Sequence, residues 1–110
     1  MTRHLMATRI LPSHVQEYLA MHRAPDPAVG PALLAHGHAD YRLHLLGGYA
    51  IASFDYLGSD LDADRARLRA LPELADWMAC TKACQAPLSE APNAPVWSPL
   101  QQIYPLQGER

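Results

Sequence analysis

The sequence lacks the features that mark membrane spans, disordered chains and nucleic-acid surfaces. No apolar run approaches the roughly 18 residues of a membrane span, and the first residues do not join a basic segment to an apolar one. The net charge is −2, without the basic cluster that binds nucleic acid. With 49% hydrophobic and 18% charged residues, the chain is predicted to fold, and the expected location is the cytoplasm.

Cysteines and metal-binding motifs are also scarce. The two cysteines, Cys80 and Cys84, lie four residues apart in a predicted helix, where a disulfide is poorly accommodated, so free thiols are expected. The chain contains no CxxC or HExxH pattern, and His36, His38 and His44 do not amount to a convergent ligand set. We therefore predict no metal site.

What is present suits one domain of 110 residues with one small core. Apolar periodicity and turn residues predict a strand, a helical region, two strands, a helical region and a final strand. In order, these segments cover residues 3–11, 13–37, 40–46, 49–56, 60–81 and 100–106. Gly47-Gly48 is a two-residue turn that joins the middle strands into a hairpin.

Short-range signals place the helix ends. Ser13 and Gln16 form a capping-box pattern at the start of the first helix. Asp26 is the predicted N-cap of a second helical segment, which ends at Gly37. Asp60 opens the next helix.

Two further expectations concern the second half of the chain. Arg65, Arg67 and Arg69 follow aspartates on the helix opened at residue 60, and we expect them to form a solvated face. Residues 87–99 are rich in proline and are predicted to form an ordered loop anchored by Trp97.

The order of elements predicts the α+β class, as a ferredoxin-like βαββαβ antiparallel sheet with helices on one face. The other sheet face has no element of the same chain to cover it. A second subunit is the simplest cover in so short a chain, so we expect a homodimer.

The end of the first helix carries the candidate reactive group. Tyr18 and His22 lie four residues apart, so their side chains project from the same helix face. A histidine exchanges protons near neutral pH, and a neighbouring phenol can hydrogen-bond a polyol. The alternative interpretation is an amphipathic helix whose terminal histidine favours the negative end of the helix dipole. Trp77 can likewise be an ordinary core residue.

Several motifs in order and spacing resemble the L-rhamnose mutarotase family over nearly the whole chain. They are Tyr18-x-x-x-His22, Pro27 five residues later, His36-Gly37 before Tyr41, Trp77, and a tail that runs from Cys84-Gln85-x-Pro87-Leu88 through Trp97 to Tyr104 and Leu106. The resemblance implies a single mutarotase-like domain over residues 1–110 that forms a dimeric α/β barrel.

The resemblance also implies an activity: the interconversion of the α and β anomers of a 6-deoxy-L-hexose, most readily L-rhamnose, without a cofactor. His22 would donate a proton to the ring oxygen, the ring would open, and it would reclose on the other face of the carbonyl. Tyr18 and Tyr41 would hydrogen-bond the hydroxyls of the sugar, and Trp77 would pack against its ring.

Three positions depart from the family's usual residues. Asp26 stands where the family usually has a tryptophan, Asp76 where it often has a tryptophan before Trp77, and Asp40 where it often has an asparagine. Because two indoles are lost, two alternatives stay open: an L-fucose mutarotase, and a non-catalytic dimeric barrel that binds a small ligand.

Overall fold

The computed structural model describes residues 2–104. These residues form an antiparallel sheet in the order β2, β3, β1, β4, and a short β5 also pairs with β1. The strands are β1 (Thr2–Ile10), β2 (His38–Leu46), β3 (Tyr49–Tyr56), β4 (Gln85–Ala86) and β5 (Ser98–Pro99). The helices are α1 (Val15–Arg23), α2 (Val29–Ala35), α3 (Leu61–Ala70) and α4 (Ala75–Cys84). None of the helices in residues 2–104 is long and apolar enough to cross a membrane.

One face of the curled sheet packs against helices and holds the core. Ala50 and Phe54 of β3 are 0% exposed, and both belong to this face. Ala50 packs with Ile10 of β1, Tyr18 of α1 and Cys84 of α4. A second apolar cluster joins α2, α3 and α4, and its buried members are Ala32, Leu68 and Leu74. The predicted α+β class and the coverage of one sheet face by helices are confirmed.

A bulge in β2 determines the direction of Tyr41. The register of β2 against β3 shifts between residues 39 and 42, and Asp40 has a φ of +49°. The extra residue reverses the alternation, so Tyr41 shares the helix-covered face with His38 and stacks on Phe54 at a centroid distance of 5.5 Å. Aspartate and asparagine both tolerate left-handed backbone. The departure at position 40 is therefore compatible with the bulge.

The two predicted helix starts in the first half of the chain are wrong. Residues 12–14 form a 3₁₀ turn that begins at Pro12, so α1 begins at Val15 and no side chain caps it. The Asp26 carboxylate accepts a hydrogen bond from the Ala28 N–H at 2.9 Å, but α2 begins only at Val29. Asp26 thus stabilises the turn before the helix.

Other local predictions are confirmed. Gly37 adopts a φ of +79° directly after the C-cap of α2. Asp60 caps α3 by accepting a hydrogen bond from the Ala63 N–H at 3.1 Å. The hairpin of β2 and β3 turns at Gly47-Gly48, and both cysteines are free thiols.

The predicted final strand is wrong where it can be compared. Residues 100–104 form no strand, and residues 105–106 lie outside the described residues. The edge of β1 pairs instead with two dipeptides, Gln85–Ala86 and Ser98–Pro99. Proline has no N–H to donate, so Pro99 cannot extend the ladder as an ordinary residue would. Trp97 packs against the core, as predicted.

The prediction of a solvated face holds for Arg67 but not for Arg65. Leu68 is buried three residues after Arg65, so these two side chains share the face of α3 that points to the sheet. The Arg65 guanidinium lies 6.0 Å from the centre of the Phe54 ring and interacts with Tyr41. Arg67 lies on the exposed side.

Candidate functional site

Three of the four predicted site residues form a continuous group. The rings of Tyr18 and His22 on α1 lie 4.5 Å apart between centroids, as their four-residue spacing requires. The ring of His22 meets Trp77 of α4 edge to face at 5.1 Å. Tertiary packing of α4 against α1 therefore brings Trp77 to the histidine.

The hydrogen bonding of His22 identifies its exchangeable nitrogen. His22 Nδ1 lies 2.7 Å from the carbonyl oxygen of Tyr18. A carbonyl only accepts, so Nδ1 carries a hydrogen and donates it. The second nitrogen, Nε2, is then the atom that can take up or release a proton.

The Tyr18 phenol is held neutral. Burial raises its pKa to about 12, and the nearby Tyr41 and Cys84 add to the increase, whereas a hydrogen bond from Gln85 opposes it. The Gln85 amide nitrogen donates to the Tyr18 oxygen at 3.2 Å. Tyr18 is therefore a neutral hydrogen-bonding group at physiological pH.

A cavity of about 160 Å³ lies between α1 and the edge strand β2. This volume is below the roughly 300–1,000 Å³ of pockets for drug-sized ligands, so the cavity suits a small molecule. It is lined by Tyr18, Leu19, His22, Leu43, His44 and Leu45. The shared face of Leu43 and Leu45 was predictable from strand alternation, but their place opposite α1 was not.

Tyr41 lies outside the lining of this cavity, in an aromatic group at the other end of the sheet face. It stacks on Phe54, and the ring of His38 lies 4.6 Å from the same Phe54 ring. Burial raises the pKa of Tyr41, and the neighbouring Arg65 opposes this rise as a positive charge and as a hydrogen-bond donor.

His38 is closed off from the cavity. Its Nδ1 lies 2.8 Å from the carbonyl oxygen of His36 and donates to it. Its Nε2 is buried and has no hydrogen-bond partner among the described residues. Burial lowers the pKa of His38, so the ring is neutral near pH 7.

Among residues 2–104, one group brings together three side chains that carry metal-ligating atoms. The ligand atoms of His14, Glu17 and Cys84 lie within 4.8 Å of one another. The Cys84 thiol donates to Glu17 at 3.6 Å, and burial raises the pKa of this thiol. This contact joins α4 to α1, and a metal ion would have to displace the thiol proton in order to bind Cys84.

The two aspartates that replace tryptophans are absent from the cavity lining. The Asp26 carboxylate is used in the turn before α2, and Asp76 is exposed on α4. Sequence reasoning missed Gln85 and Arg65, the residues that contact the two tyrosines. The tail motif that includes Gln85 was the one available signal for either.

Fold and site together define a small α+β half-barrel protein with a histidine in the lining of a small cavity. The L-rhamnose mutarotase family model matches residues 3–106, and the chain belongs to this family.

Solved structures agree on the fold. The crystal structure of an L-rhamnose mutarotase from Formosa agariphila is similar with a TM-score of 0.71 and 16% sequence identity, over 97% of this chain and 100% of that one. Tetracenomycin F2 cyclase from Streptomyces glaucescens, a type-II polyketide cyclase, is similar with a TM-score of 0.63 and 16% identity, over 96% and 97% of the two chains. At this identity the likeness concerns the fold alone. No curated protein matched the sequence.

Proposed function

We propose that this protein interconverts the α and β anomers of a 6-deoxy-L-hexose, with L-rhamnose as the first candidate, and that it uses no metal or other cofactor. The observation that carries the proposal is the pair of Tyr18 and His22 in the lining of a small cavity, in a chain that matches the L-rhamnose mutarotase family over residues 3–106. Trp77 contacts His22 from outside that lining. Members of this family are mutarotases, which are isomerases.

In the proposed mechanism, His22 Nε2 donates a proton to the ring oxygen while the anomeric hydroxyl loses its proton to an aqueous acceptor. The bond between the anomeric carbon and the ring oxygen breaks, which gives the open-chain aldehyde. The carbonyl end rotates, and the reverse proton transfers close the ring on its other face. The same Nε2 takes the proton back when the ring closes, because Nδ1 stays hydrogen-bonded to the Tyr18 carbonyl.

The remaining site residues bind the sugar in this proposal. The neutral phenols of Tyr18 and Tyr41 hydrogen-bond its hydroxyls, and the Trp77 indole packs on its C–H face. Trp77 already contacts His22, so its second role in the site is to limit the movement of the imidazole. Tyr41 is expected to contact the part of the sugar that extends from the cavity toward Phe54.

We further propose a homodimer that forms through the sheet face opposite the helices. Leu5, Leu46 and Tyr49 belong to that face and are 43%, 74% and 50% exposed. A second copy would remove this apolar surface from water. Sedimentation as a stable monomer at micromolar concentration would contradict the dimer. The cytoplasmic location expected from the sequence stays a prediction.

The proposed function is tested by NMR magnetisation exchange between the α and β anomers of L-rhamnose, L-fucose and D-glucose. We expect exchange well above the buffer rate with L-rhamnose and little with D-glucose, which carries a hydroxymethyl group in place of the methyl. A faster exchange with L-fucose would transfer the activity to that sugar. No exchange above buffer with any sugar would exclude a mutarotase and favour a non-catalytic barrel that binds a small ligand.

A further inference from the structure

Each phenol assigned to the sugar site has a nitrogen donor from another element near it. The Gln85 amide nitrogen donates to Tyr18 at 3.2 Å, and the Arg65 guanidinium lies over the Phe54 ring on which Tyr41 stacks. An amide NH₂ only donates, so Tyr18 uses an oxygen lone pair for the contact with Gln85 and keeps its own O–H hydrogen.

The backbone holds Gln85 firmly beside Tyr18. Gln85 belongs to β4 and pairs with Ile10 of β1. The carbonyl of the preceding Cys84 accepts a hydrogen bond from the Leu11 N–H at 2.8 Å. The side chain of Gln85 thus projects from a segment that is fixed on both sides of its own Cα.

Among residues 2–104, no group accepts a hydrogen bond from the Tyr18 O–H, although Tyr18 is only 3% exposed. This buried hydroxyl accepts one hydrogen bond and donates none. An unsatisfied buried donor costs free energy. Tyr18 also lines the cavity. A ligand oxygen in the cavity would supply the missing acceptor.

Arg65 of α3 is placed near Tyr41 through a shared neighbour. Its guanidinium lies over the Phe54 ring, on which Tyr41 stacks. No carboxylate lies within ion-pair distance of Arg65 among the described residues, so its donors are not taken by an acid. This placement leaves the guanidinium available to the Tyr41 phenol, and Arg65 opposes the rise that burial causes in the pKa of Tyr41.

We propose that Gln85 and Arg65 are positioning residues, which occupy the oxygen lone pairs of Tyr18 and Tyr41 so that both phenols offer O–H donors to the ligand. The inference rests on the proposed function and adds a selectivity to it. A ligand of this site must present acceptor oxygens, such as the ring and hydroxyl oxygens of a sugar, toward both phenols. Ligands without acceptors at these positions would leave both O–H groups unpaired.

The decisive variant is Gln85→Glu, which keeps the size of the side chain and reverses its polarity. A carboxylate accepts the Tyr18 O–H and withdraws it from the ligand. We expect KM for the sugar to rise roughly fivefold, which corresponds to about 1 kcal/mol for one hydrogen bond, with a smaller change in kcat. Gln85→Leu should have an intermediate effect, because it frees the phenol without capturing its hydrogen.

Gln16→Glu is the matched control. Gln16 is exposed on the first turn of α1 and has no assigned role in the site. The same change of charge on the same helix as Tyr18 should leave KM at the parent value. If Gln85→Glu and Gln16→Glu bind and convert the sugar equally well, the proposal is excluded.

A second measurement needs no sugar. The Cζ resonance of isotope-labelled Tyr18, assigned by its loss in Tyr18→Phe, reports the hydrogen bonding of the phenol at neutral pH. We expect it to move in Gln85→Glu and Gln85→Leu and not in Gln16→Glu. An unmoved resonance would overturn the proposal even if the mutarotase activity is real. A moved resonance in a protein that converts no sugar would instead retain the Tyr18 contact and reject the proposed function.

The proposed role of Arg65 at Tyr41 is tested by comparing Arg65→Met with Arg65→Lys. Methionine keeps the apolar stem and removes the donor, so KM should rise severalfold and the Tyr41 Cζ resonance should shift. Lysine restores a charged donor and should recover part of both effects. Arg69→Met, at an exposed position of the same helix, is the control. Equal KM values for Arg65→Met and Arg69→Met would remove Arg65 from the site.

Discussion

The two ends of the helix-covered sheet face each hold a histidine among aromatic rings, yet the two histidines differ in what they can do. His22 and His38 both donate Nδ1–H to a backbone carbonyl, at 2.7 Å and 2.8 Å. The ring of His22 borders the cavity. The Nε2 of His38 is buried without a partner among the described residues.

The difference lies in the second nitrogen. An imidazole whose Nδ1 is engaged can exchange protons with a ligand only through Nε2, and only if Nε2 reaches a space that the ligand can enter. The His22 ring lines the cavity, whereas His38 contributes ring packing against Phe54 and Tyr56. Aromatic neighbours alone therefore do not identify a reactive histidine in this fold.

The largest expected effect is that of His22→Asn. This variant keeps some hydrogen bonding and removes the nitrogen that exchanges the proton in the proposed mechanism. General acid–base catalysis contributes about 10²–10⁴ in rate, so the anomer exchange measured by NMR should fall by that factor while the circular dichroism spectrum stays unchanged. A His22→Asn protein as active as the parent would exclude the assigned role.

Phe54→Ala tests the His38 end of the sheet face by removing buried packing contacts. Phe54 is 0% exposed and contacts His38, Tyr41 and Arg65. We expect the free energy of unfolding in urea to fall by about 3–5 kcal/mol, a large part of the roughly 5–15 kcal/mol of a typical domain. Leu34→Ala, on α2 at a site that is 65% exposed, is the control and should change little. A loss below about 1 kcal/mol would mean that this end is not a packed core.

Tyr18→Phe separates the role of the Tyr18 phenol from that of His22 at the same end of the sheet face. It removes one hydrogen-bonding hydroxyl, leaves the proton donor in place and deprives Gln85 of its acceptor. We expect kcat/KM for anomer exchange to fall roughly tenfold, well short of the effect of His22→Asn. A loss as large as that of His22→Asn would instead make Tyr18 a proton-transfer group.

The free energy of unfolding, measured as a function of pH, tests the burial of His38. Burial lowers the pKa of His38 in the folded protein below its ordinary value of about 6.5. The hydrogen bond to the His36 carbonyl and the charge of Asp64 oppose this shift, and the charges of Arg65 and the His36 ring add to it. Above pH 6.5 both states hold the ring neutral. As the pH falls through that value, the unfolded state binds the proton first, so the free energy of unfolding decreases until the folded pKa is passed.

His38→Phe removes this contribution. The free energy of unfolding should therefore depend less on pH below about 6.5 in His38→Phe than in the parent, by urea titration at each pH. His44→Gln, an exposed histidine in the same strand, should retain the slope of the parent. Identical slopes for His38→Phe and the parent would show that His38 is not buried as a neutral ring.

The smallest expected effect is that of a chelator. Dialysis against a strong chelator should leave the anomer exchange rate unchanged, because the proposed mechanism transfers protons and the Cys84 thiol is engaged with Glu17. A loss of activity that zinc restores would make His14, Glu17 and Cys84 a metal site.

Elements with local signals could be predicted from the sequence alone. Gly47-Gly48 between alternating strands predicted the hairpin, Gly37 the end of α2, and Asp60 the start of α3. The contact of Tyr18 with His22 followed from helical spacing. Each of these rests on backbone dihedrals or on neighbours within one or two turns, so a short window contains the relevant energy terms.

Contacts between segments that are distant in the chain could not be predicted in this way, because they depend on tertiary packing. Two dipeptides pair with the edge of β1 where a single final strand was expected. Arg65 faces the sheet because α3 buries Leu68 beside it, and Gln85 reaches Tyr18 from a segment 67 residues away in the chain. Such contacts depend on how whole helices pack on the sheet. Charge patterns and residue spacing do not encode that packing, because one amphipathic helix can bury slightly different faces at similar cost.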